Sequence, residues 1–134
     1  NPDVKIQGVM IEKMAPQGQE VIVGMRRDAT FGPTIMFGMG GTLVELIKDV
    51  SLRIAPLSDW DIDCLIDETL IGQLLKGYRG SKPADLPAVK QIIRNLNALA
   101  IENPEIEEIE INPLVVYPEN QGALALDSRM ILKN

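Results

Sequence analysis

The residues best suited to chemistry lie near the C-terminal end of the chain, where oxygen-bearing side chains alternate with isoleucines. Ile109 and Ile111 alternate with Glu108, Glu110 and Asn112. In a β-strand this alternation places the isoleucines on one face and the carboxylates and amide on the other. The pattern therefore predicts a strand with one polar face.

A return strand is predicted directly after this one. Residues 118–122 are rich in turn formers, and the apolar run at 123–132 follows them. A hairpin folded about Asn120 sets position 112 opposite position 128, so Asn112 and Asp127 fall within one residue of direct pairing. A small register offset or a bulge would place the two side chains next to each other.

An amide oxygen and a carboxylate on adjacent strands could share one hard cation, because paired Cβ atoms lie roughly 5 Å apart. Mg²⁺ suits such a pair, since it uses few protein oxygens and completes its coordination with waters and substrate phosphates. The alternative is a solvated hairpin face that carries ordinary acidic side chains. Both interpretations agree with the spacing.

Composition narrows the functions that such a hairpin could serve. The chain has 134 residues, of which 46% are hydrophobic, so one domain with a real core is expected. The net charge of −6 argues against nucleic-acid binding, and no apolar run reaches the length of a membrane span. We expect a cytoplasmic protein with no nucleic-acid or membrane partner.

Histidine is absent from the sequence, and Cys64 is the only cysteine. The lack of histidine excludes His-based acid–base catalysis, catalytic triads and the usual zinc sites from what this chain can do alone. Cys64 cannot form a disulfide within the chain, and it lies in an apolar helical pattern where we expect it to be packed.

The remaining elements explain how the polar face would be positioned. Strands are predicted at 8–14, 20–26, 34–37 and 49–57, with the first two paired. Ser58 with Asp61 indicates a capped helix that runs to Leu75, and Asp85 caps a second helix that ends at Asn103. This order predicts an α+β fold, in which helices pack on one face of a mainly antiparallel sheet. The stripe expected to form the core of the first helix is Trp60, Cys64, Leu65, Leu70, Ile71, Leu74 and Leu75.

Two further features could contact a phosphate. Gly38, Gly40 and Gly41 lie between a strand and the predicted start of a helix near 43–48, where backbone N–H groups can approach an anion. A tight structural turn is an equally good interpretation. Arg53 could bind a phosphate bidentately, although a lone arginine on a solvated face is the commoner case. Glu20, at the start of a strand, is most simply a solvated edge carboxylate.

Several segments also resemble a known family when taken in order. They are VMIEKM (9–14), EVIVG (20–24) with RD (27–28), FGP (31–33), FGMGG (37–41), DVSLRIAPL (49–57), GYRG (77–80) and EINPL (110–114). Together they resemble the ATP-grasp domain of NDP-forming acyl-CoA synthetases and, more distantly, the nucleotide-binding subunit of succinyl-CoA synthetase. The resemblance covers nearly the whole chain.

This resemblance implies a two-lobed nucleotide clamp, of which residues 1–134 match the second subdomain. The first lobe and the CoA-binding and phosphohistidine domains have no counterpart in these residues. Because the chain starts at Asn1 rather than at methionine, close to a predicted strand, we expect a piece of a longer protein. The family transfers phosphate between ATP or ADP and a histidine on another domain or subunit, so the parent would be an acid–CoA ligase and this piece alone would be inactive.

The family also implies roles for individual residues. Asn112 and Asp127 match its magnesium ligands. Glu110 matches either a metal ligand, as in other ATP-grasp enzymes, or a residue that contacts the phosphohistidine loop, as in the succinyl-CoA synthetase branch. Glu20 matches the acid that holds the ribose hydroxyls.

The other matches are less specific. Glu12, Lys13 and Met14 match the hinge whose backbone meets adenine. The resemblance gives Arg53 and the glycine turn (Gly38, Gly40 and Gly41) only a general role in phosphate contact or docking. The predicted cofactors are therefore Mg²⁺ and ATP or ADP, and the predicted partner is the CoA-binding, phosphohistidine-bearing domain or subunit.

A second function is compatible with the same residues. A related ATP-grasp segment is fused to a lysine acetyltransferase, where it would act as a sensing or structural module without phosphotransfer. A C-terminal acetyltransferase domain in the full reading frame would favour that alternative. In either case an exposed apolar cleft edge could drive self-association into a homo-oligomer.

Overall fold

Most of the strands predicted from alternating residues form one antiparallel sheet. The structure is a computed structural model that describes residues 7–43 and 47–133. Its strands are β1 (Gln19–Asp28), β2 (Gly32–Met39), β3 (Val50–Ile54), β4 (Ile106–Val116), β5 (Ala123–Ala125) and β6 (Ser128–Leu132). Its helices are α1 (Asp59–Asp67), α2 (Leu70–Leu75) and α3 (Leu86–Glu102), and a short 3₁₀ turn spans Gly41–Leu43.

The strands lie in the order β3-β2-β1-β4, and β5 and β6 both pair with the free side of β4. Each pairing is antiparallel. The helices cover one face, so the predicted α+β architecture is confirmed. Within the described residues, no helix is long and apolar enough to cross a membrane.

The period-2 pattern of β1 separates the two faces of the sheet. Val21, Val23 and Met25 are buried in the core cluster, which also contains residues of α1, α2 and α3. The intervening residues of β1 point to the opposite face, which we call the outer face. By the same alternation and register, the outer face carries Glu20, Gly24, Arg26, Thr34, Met36, Leu52, Glu108, Glu110 and Arg129.

The predicted helix caps are present. Ser58 and Asp61 form a complete capping box at the start of α1. Asp85 accepts a hydrogen bond from the backbone N–H of Ala88 at 3.1 Å, and its other carboxylate oxygen accepts one from Gly122 at 2.8 Å. Asp85 therefore begins α3 and also holds the turn of the C-terminal hairpin against it.

The single helix predicted from Ser58 to Leu75 is wrong, because the chain forms two helices. Thr69 caps α2 through its side chain, and the carboxylate of Asp49 accepts hydrogen bonds from Leu70 and Ile71 at 2.8 and 2.9 Å. These acceptors satisfy the N–H groups of a new helix start. Of the predicted core stripe, Leu65, Ile71 and Leu75 are in the core, whereas Trp60 is 72% exposed and Leu70 is 58% exposed.

The strand predicted at 8–14 is also wrong. Residues 7–18 have no regular secondary structure, and the side chains of Val9 and Ile11 are almost fully exposed. The physical reason is that β1 is already paired on both sides, by β2 and β4, so no edge of it remains for another strand. The helix predicted near 43–48 lies largely outside the described residues.

Candidate functional site

Asn112 and Asp127 are cross-strand neighbours. Ile111 pairs with Ser128 in β6 and Leu114 pairs with Ala125 in β5, so position 112 lies opposite position 127. The backbone N–H of Asn112 donates to the carbonyl oxygen of Asp127 at 3.1 Å. The register is thus offset by one residue from a hairpin centred on Asn120, and residues paired in this way carry their side chains on the same face.

Asn112 also lies in a β-bulge against β1. Val21 pairs with Leu114 and Val23 pairs with Ile111, so Asn112 and Pro113 together oppose the single residue Ile22. Because of this extra residue, Ile111 and Leu114 both pack toward the core although three positions separate them. The bulge leaves Asn112 directed away from the helices.

The glycine turn after β2 meets Asn112 and Glu20. The backbone N–H of Gly41 donates to Oδ1 of Asn112 at 3.0 Å, and the N–H of Gly40 donates to the carbonyl oxygen of Glu20 at 3.0 Å. A Cβ atom at Gly41 would lie 2.0 Å from Oε2 of Glu20. The structure therefore brings together Asn112, Glu20 and the turn, which sequence reasoning had placed in one site only through the family resemblance.

Glu110 lies two residues before Asn112 and faces Arg129 across the β4–β6 pair. Nη2 of Arg129 is 4.0 Å from Glu110 and makes a direct hydrogen bond to Glu108. Nε of Arg26 lies 4.0 Å from the other oxygen of Glu108. Two arginines and two glutamates thus form a row of alternating charge on the outer face.

This charged row forms one side of a groove on the outer face. The groove has a volume of about 650 Å³, and Met36 and Leu52 provide apolar surface opposite the charges. Sequence reasoning placed Glu108 on the polar face of the strand but missed Arg26 and Arg129 as residues of the site. A signal was available for Arg129, since it follows Asp127 by two residues and so shares its face in a strand.

Arg53 is not brought together with these residues. It pairs with Ile35, whose side chain is in the core, and so it points to the helix side of the sheet. There Nη2 of Arg53 forms an ion pair with Glu68 at the end of α1. This hydrogen bond to Glu68 raises the pKa of the Arg53 guanidinium above its ordinary value.

Glu12, Lys13 and Met14 lie in the irregular segment before β1, and all three are exposed. Across the described residues, none of the three makes a hydrogen bond with another part of the chain. The hinge role that the resemblance gives them stays a prediction.

The sequence and the fold were also compared with known proteins. Residues 1–132 match the family described as ATP-grasp domain. The β subunit of ADP-forming acetate–CoA ligase I from Pyrococcus furiosus is 49% identical over 131 residues, which cover 98% of this chain and 56% of that protein. ADP-forming acetate–CoA ligase I from Archaeoglobus fulgidus is 43% identical over 131 residues, which cover 98% of this chain and 19% of that protein.

A solved structure has the same fold. It is the dinucleotide-forming acetyl-coenzyme A synthetase 1 from Ca. Korarchaeum cryptofilum, in complex with coenzyme A and Mg-AMPPCP, with its phosphohistidine segment pointing towards the nucleotide binding site. The TM-score is 0.83 at 45% identity, over 89% of this chain and 55% of the solved one. The present chain therefore spans about half the length of this structure and of the Pyrococcus subunit.

Proposed function

Because the chain belongs to the ATP-grasp family, we propose that it forms the second lobe of a nucleotide clamp in an ADP-forming acyl-CoA synthetase. The observation that carries this proposal is the grouping of Asn112, Asp127, Glu20 and the glycine turn on the face of the sheet opposite the helices. The first lobe, closing over that face, would enclose a nucleotide and exclude water from it. The relatives reported above are acid–CoA ligases, which favours this proposal over the acetyltransferase fusion.

Asn112 and Asp127 fit the proposed magnesium site in their chemistry. Oδ1 of Asn112 accepts one hydrogen bond, from Gly41, and keeps a second lone pair. Asp127 is exposed, and its carboxylate accepts no hydrogen bond from the described residues. No group of three or more His, Cys, Asp or Glu side chains in the described ranges could hold a metal. A site built from one amide and one carboxylate suits Mg²⁺, whose remaining ligands would be waters and phosphate oxygens.

When bound, Mg²⁺ would neutralise charge on the nucleotide phosphates. The residues of this chain would hold the nucleotide in position around it. Glu20 would accept hydrogen bonds from the ribose hydroxyls, and the backbone at Glu12, Lys13 and Met14 would meet the adenine. Support for Glu20 is its contact with the glycine turn, which in turn contacts Asn112.

Glu110 can take one of two roles. Its position on β4, two residues from Asn112 on the same strand, agrees with direct coordination of the metal. Its proximity to Arg129 and the groove agrees with contact to an incoming peptide segment. In the second role Glu110 would meet the phosphohistidine loop of the CoA-binding domain or subunit, which we propose as the partner of this chain. Arg53, on the helix side, would contribute through docking rather than through phosphate contact.

The proposal is tested by Asp127→Asn in the full synthetase. The substitution keeps the size of an exposed side chain but removes the charge that a metal needs, so phosphoryl transfer between ATP and the enzyme should fall by orders of magnitude. The melting temperature should change little, because surface substitutions away from buried partners usually alter stability by less than about 0.5 kcal/mol.

Glu119→Gln is the matched control, because it removes one exposed carboxylate from the turn of the same hairpin. It should leave the rate and the Mg²⁺ dependence unchanged. Both variants would be measured by transfer of labelled phosphate from ATP at several Mg²⁺ concentrations. If Asp127→Asn behaves like Glu119→Gln, Asp127 is not a metal ligand and the proposed site is wrong.

A further inference from the structure

The N–H groups of the glycine turn are already bound inside the protein. Met39 donates to the carbonyl oxygen of Asp49 at 2.9 Å, and Gly40 donates to the carbonyl oxygen of Glu20 at 3.0 Å. Gly41 donates to Oδ1 of Asn112 at 3.0 Å. A turn that binds an anion presents free N–H groups to it, and these three consecutive donors are not free. Met39, Gly40 and Gly41 therefore offer no free N–H group to an anion.

Gly40 and Gly41 leave no space for a side chain. A Cβ atom at Gly40 would lie 2.4 Å from the backbone carbon of Val21. Gly41 has a φ of +76°, which favours glycine, and a Cβ atom there would lie 2.0 Å from Oε2 of Glu20. The backbone of the turn therefore packs directly against Glu20 and Val21 at the start of β1. This close approach brings the N–H of Gly41 to Asn112.

We propose that Gly41 is a positioning residue, whose N–H orients the amide of Asn112 so that its oxygen faces the magnesium. This inference rests on the proposed function, since it takes Asn112 as a metal ligand. An asparagine amide has one end that accepts and one end that donates hydrogen bonds. A donor fixed at 3.0 Å selects the orientation in which Oδ1 lies at the turn and on the outer face. The reversed amide would present its NH₂ group to the cation, and an amide NH₂ group does not coordinate a cation.

The same turn contacts both Asn112, the proposed metal ligand, and Glu20, the residue proposed to bind the ribose hydroxyls. Glu20 contacts the turn twice, since its carbonyl oxygen accepts from Gly40 and its carboxylate lies against Gly41. A displacement of the turn would therefore move Asn112 and Glu20 together. Groups that hold a metal ligand in orientation typically change metal affinity by about 10–100-fold when they are lost.

The hydrogen bond is tested first without metal. In the ¹⁵N-labelled chain, Asn112→Ala should increase hydrogen exchange at the Gly41 amide, whereas the Gly40 amide, bound to Glu20, should remain protected. Equal exchange at Gly41 in the wild type and in Asn112→Ala would overturn the inference. This measurement needs neither activity nor a folded variant at position 41.

The positioning role is tested by Gly41→Ala against Gly32→Ala. Both glycines have a positive φ, +76° and +78°, but Gly32 has no atom within 4 Å of the added Cβ. Both variants place an alanine at a positive φ and should lose stability for that reason, but only Gly41→Ala should also displace the turn. In the full synthetase, Mn²⁺ affinity measured by electron paramagnetic resonance should fall about 10-fold or more in Gly41→Ala. It should be unchanged in Gly32→Ala.

Asn112→Asp separates orientation from general distortion. A carboxylate has an oxygen at either end, so its orientation no longer matters, and Gly41→Ala should cost much less Mn²⁺ affinity in the Asn112→Asp background. An equal loss in both backgrounds, or no difference between Gly41→Ala and Gly32→Ala, would refute the inference. The proposed function has a separate test: it is wrong if Asp127→Asn leaves the Mn²⁺ affinity unchanged.

Discussion

Arg27 connects β1, α3 and β4 through backbone carbonyl groups, and its replacement by methionine tests how the helix layer is held on the sheet. Nε of Arg27 donates to the carbonyl oxygen of Ile106 at 3.1 Å. Nη2 donates to those of Ala100 at 2.8 Å and Asn103 at 3.3 Å. These carbonyls belong to the end of α3 and the start of β4. A guanidinium is suited to this position because its donors form a planar fork.

The expected loss can be estimated from these bonds. Arg27→Met keeps an unbranched apolar side chain but removes every donor. Hydrogen bonds that involve a charged group contribute roughly 1.5–3 kcal/mol each. Because Arg27 is partly exposed, we count only the two shorter bonds at the low end of that range, which gives a loss of about 3 kcal/mol. Arg27→Lys should lose less, since an ammonium can still reach some of these carbonyls.

Urea unfolding followed by circular dichroism would measure this loss. Arg26→Met is the matched control, because Arg26 is the adjacent residue on the opposite face, with an 83% exposed side chain and one contact of 4.0 Å to Glu108. The control should lose less than about 0.5 kcal/mol. If Arg26→Met and Arg27→Met lose the same free energy of unfolding, the carbonyl contacts of Arg27 do not stabilise the helix layer.

Two further outcomes are expected. Glu110→Gln in the full synthetase should slow histidine phosphorylation and leave Mg²⁺-dependent nucleotide binding, measured by calorimetry, nearly unchanged if Glu110 meets the phosphohistidine loop; a large loss of binding would favour metal coordination. The Ser58 hydrogen bonds lower the pKa of Asp61 below its ordinary 3.8. Their stabilisation is therefore present above pH 3.8 and is lost as the pH falls through the lowered value. Urea midpoints of Asp61→Asn should show a weaker fall than wild type over this acid range, and an identical fall would contradict the assignment.

Elements with both a periodic pattern and a local cap were predictable from the sequence. The capping box at Ser58 and the N-cap at Asp85 are contacts between residues three positions apart, so their spacing is visible in the chain. The break before α2 was missed because part of its cap comes from Asp49, which is 21 residues away. The strand predicted at 8–14 failed for a similar reason, since its composition says nothing about whether β1 has a free edge.

The candidate site likewise has features that could be predicted from the sequence and features that could not. The adjacency of Asn112 and Asp127 follows from a hairpin, whose register depends on a short turn, and it was predicted to within one residue. The contact between Gly41 and Asn112 joins residues 71 positions apart, and the ion pair of Arg53 joins residues 15 apart. No periodic pattern in the sequence predicts either contact. The polar face could therefore be predicted, and the groups that orient it could not.

Pro113 is a residue from which the β-bulge in β4 could have been predicted. Proline has no N–H to donate to a strand ladder, so within a sheet it is confined to edges and bulges. β4 is a central strand, with β1 on one side and β5 and β6 on the other, which leaves the bulge as the remaining choice. The bulge lies at Asn112 and Pro113, where two residues oppose Ile22. It lets Ile111 and Leu114 both pack into the core while Asn112 faces outward, so the same irregularity that preserves the core also places the proposed metal ligand on the outer face.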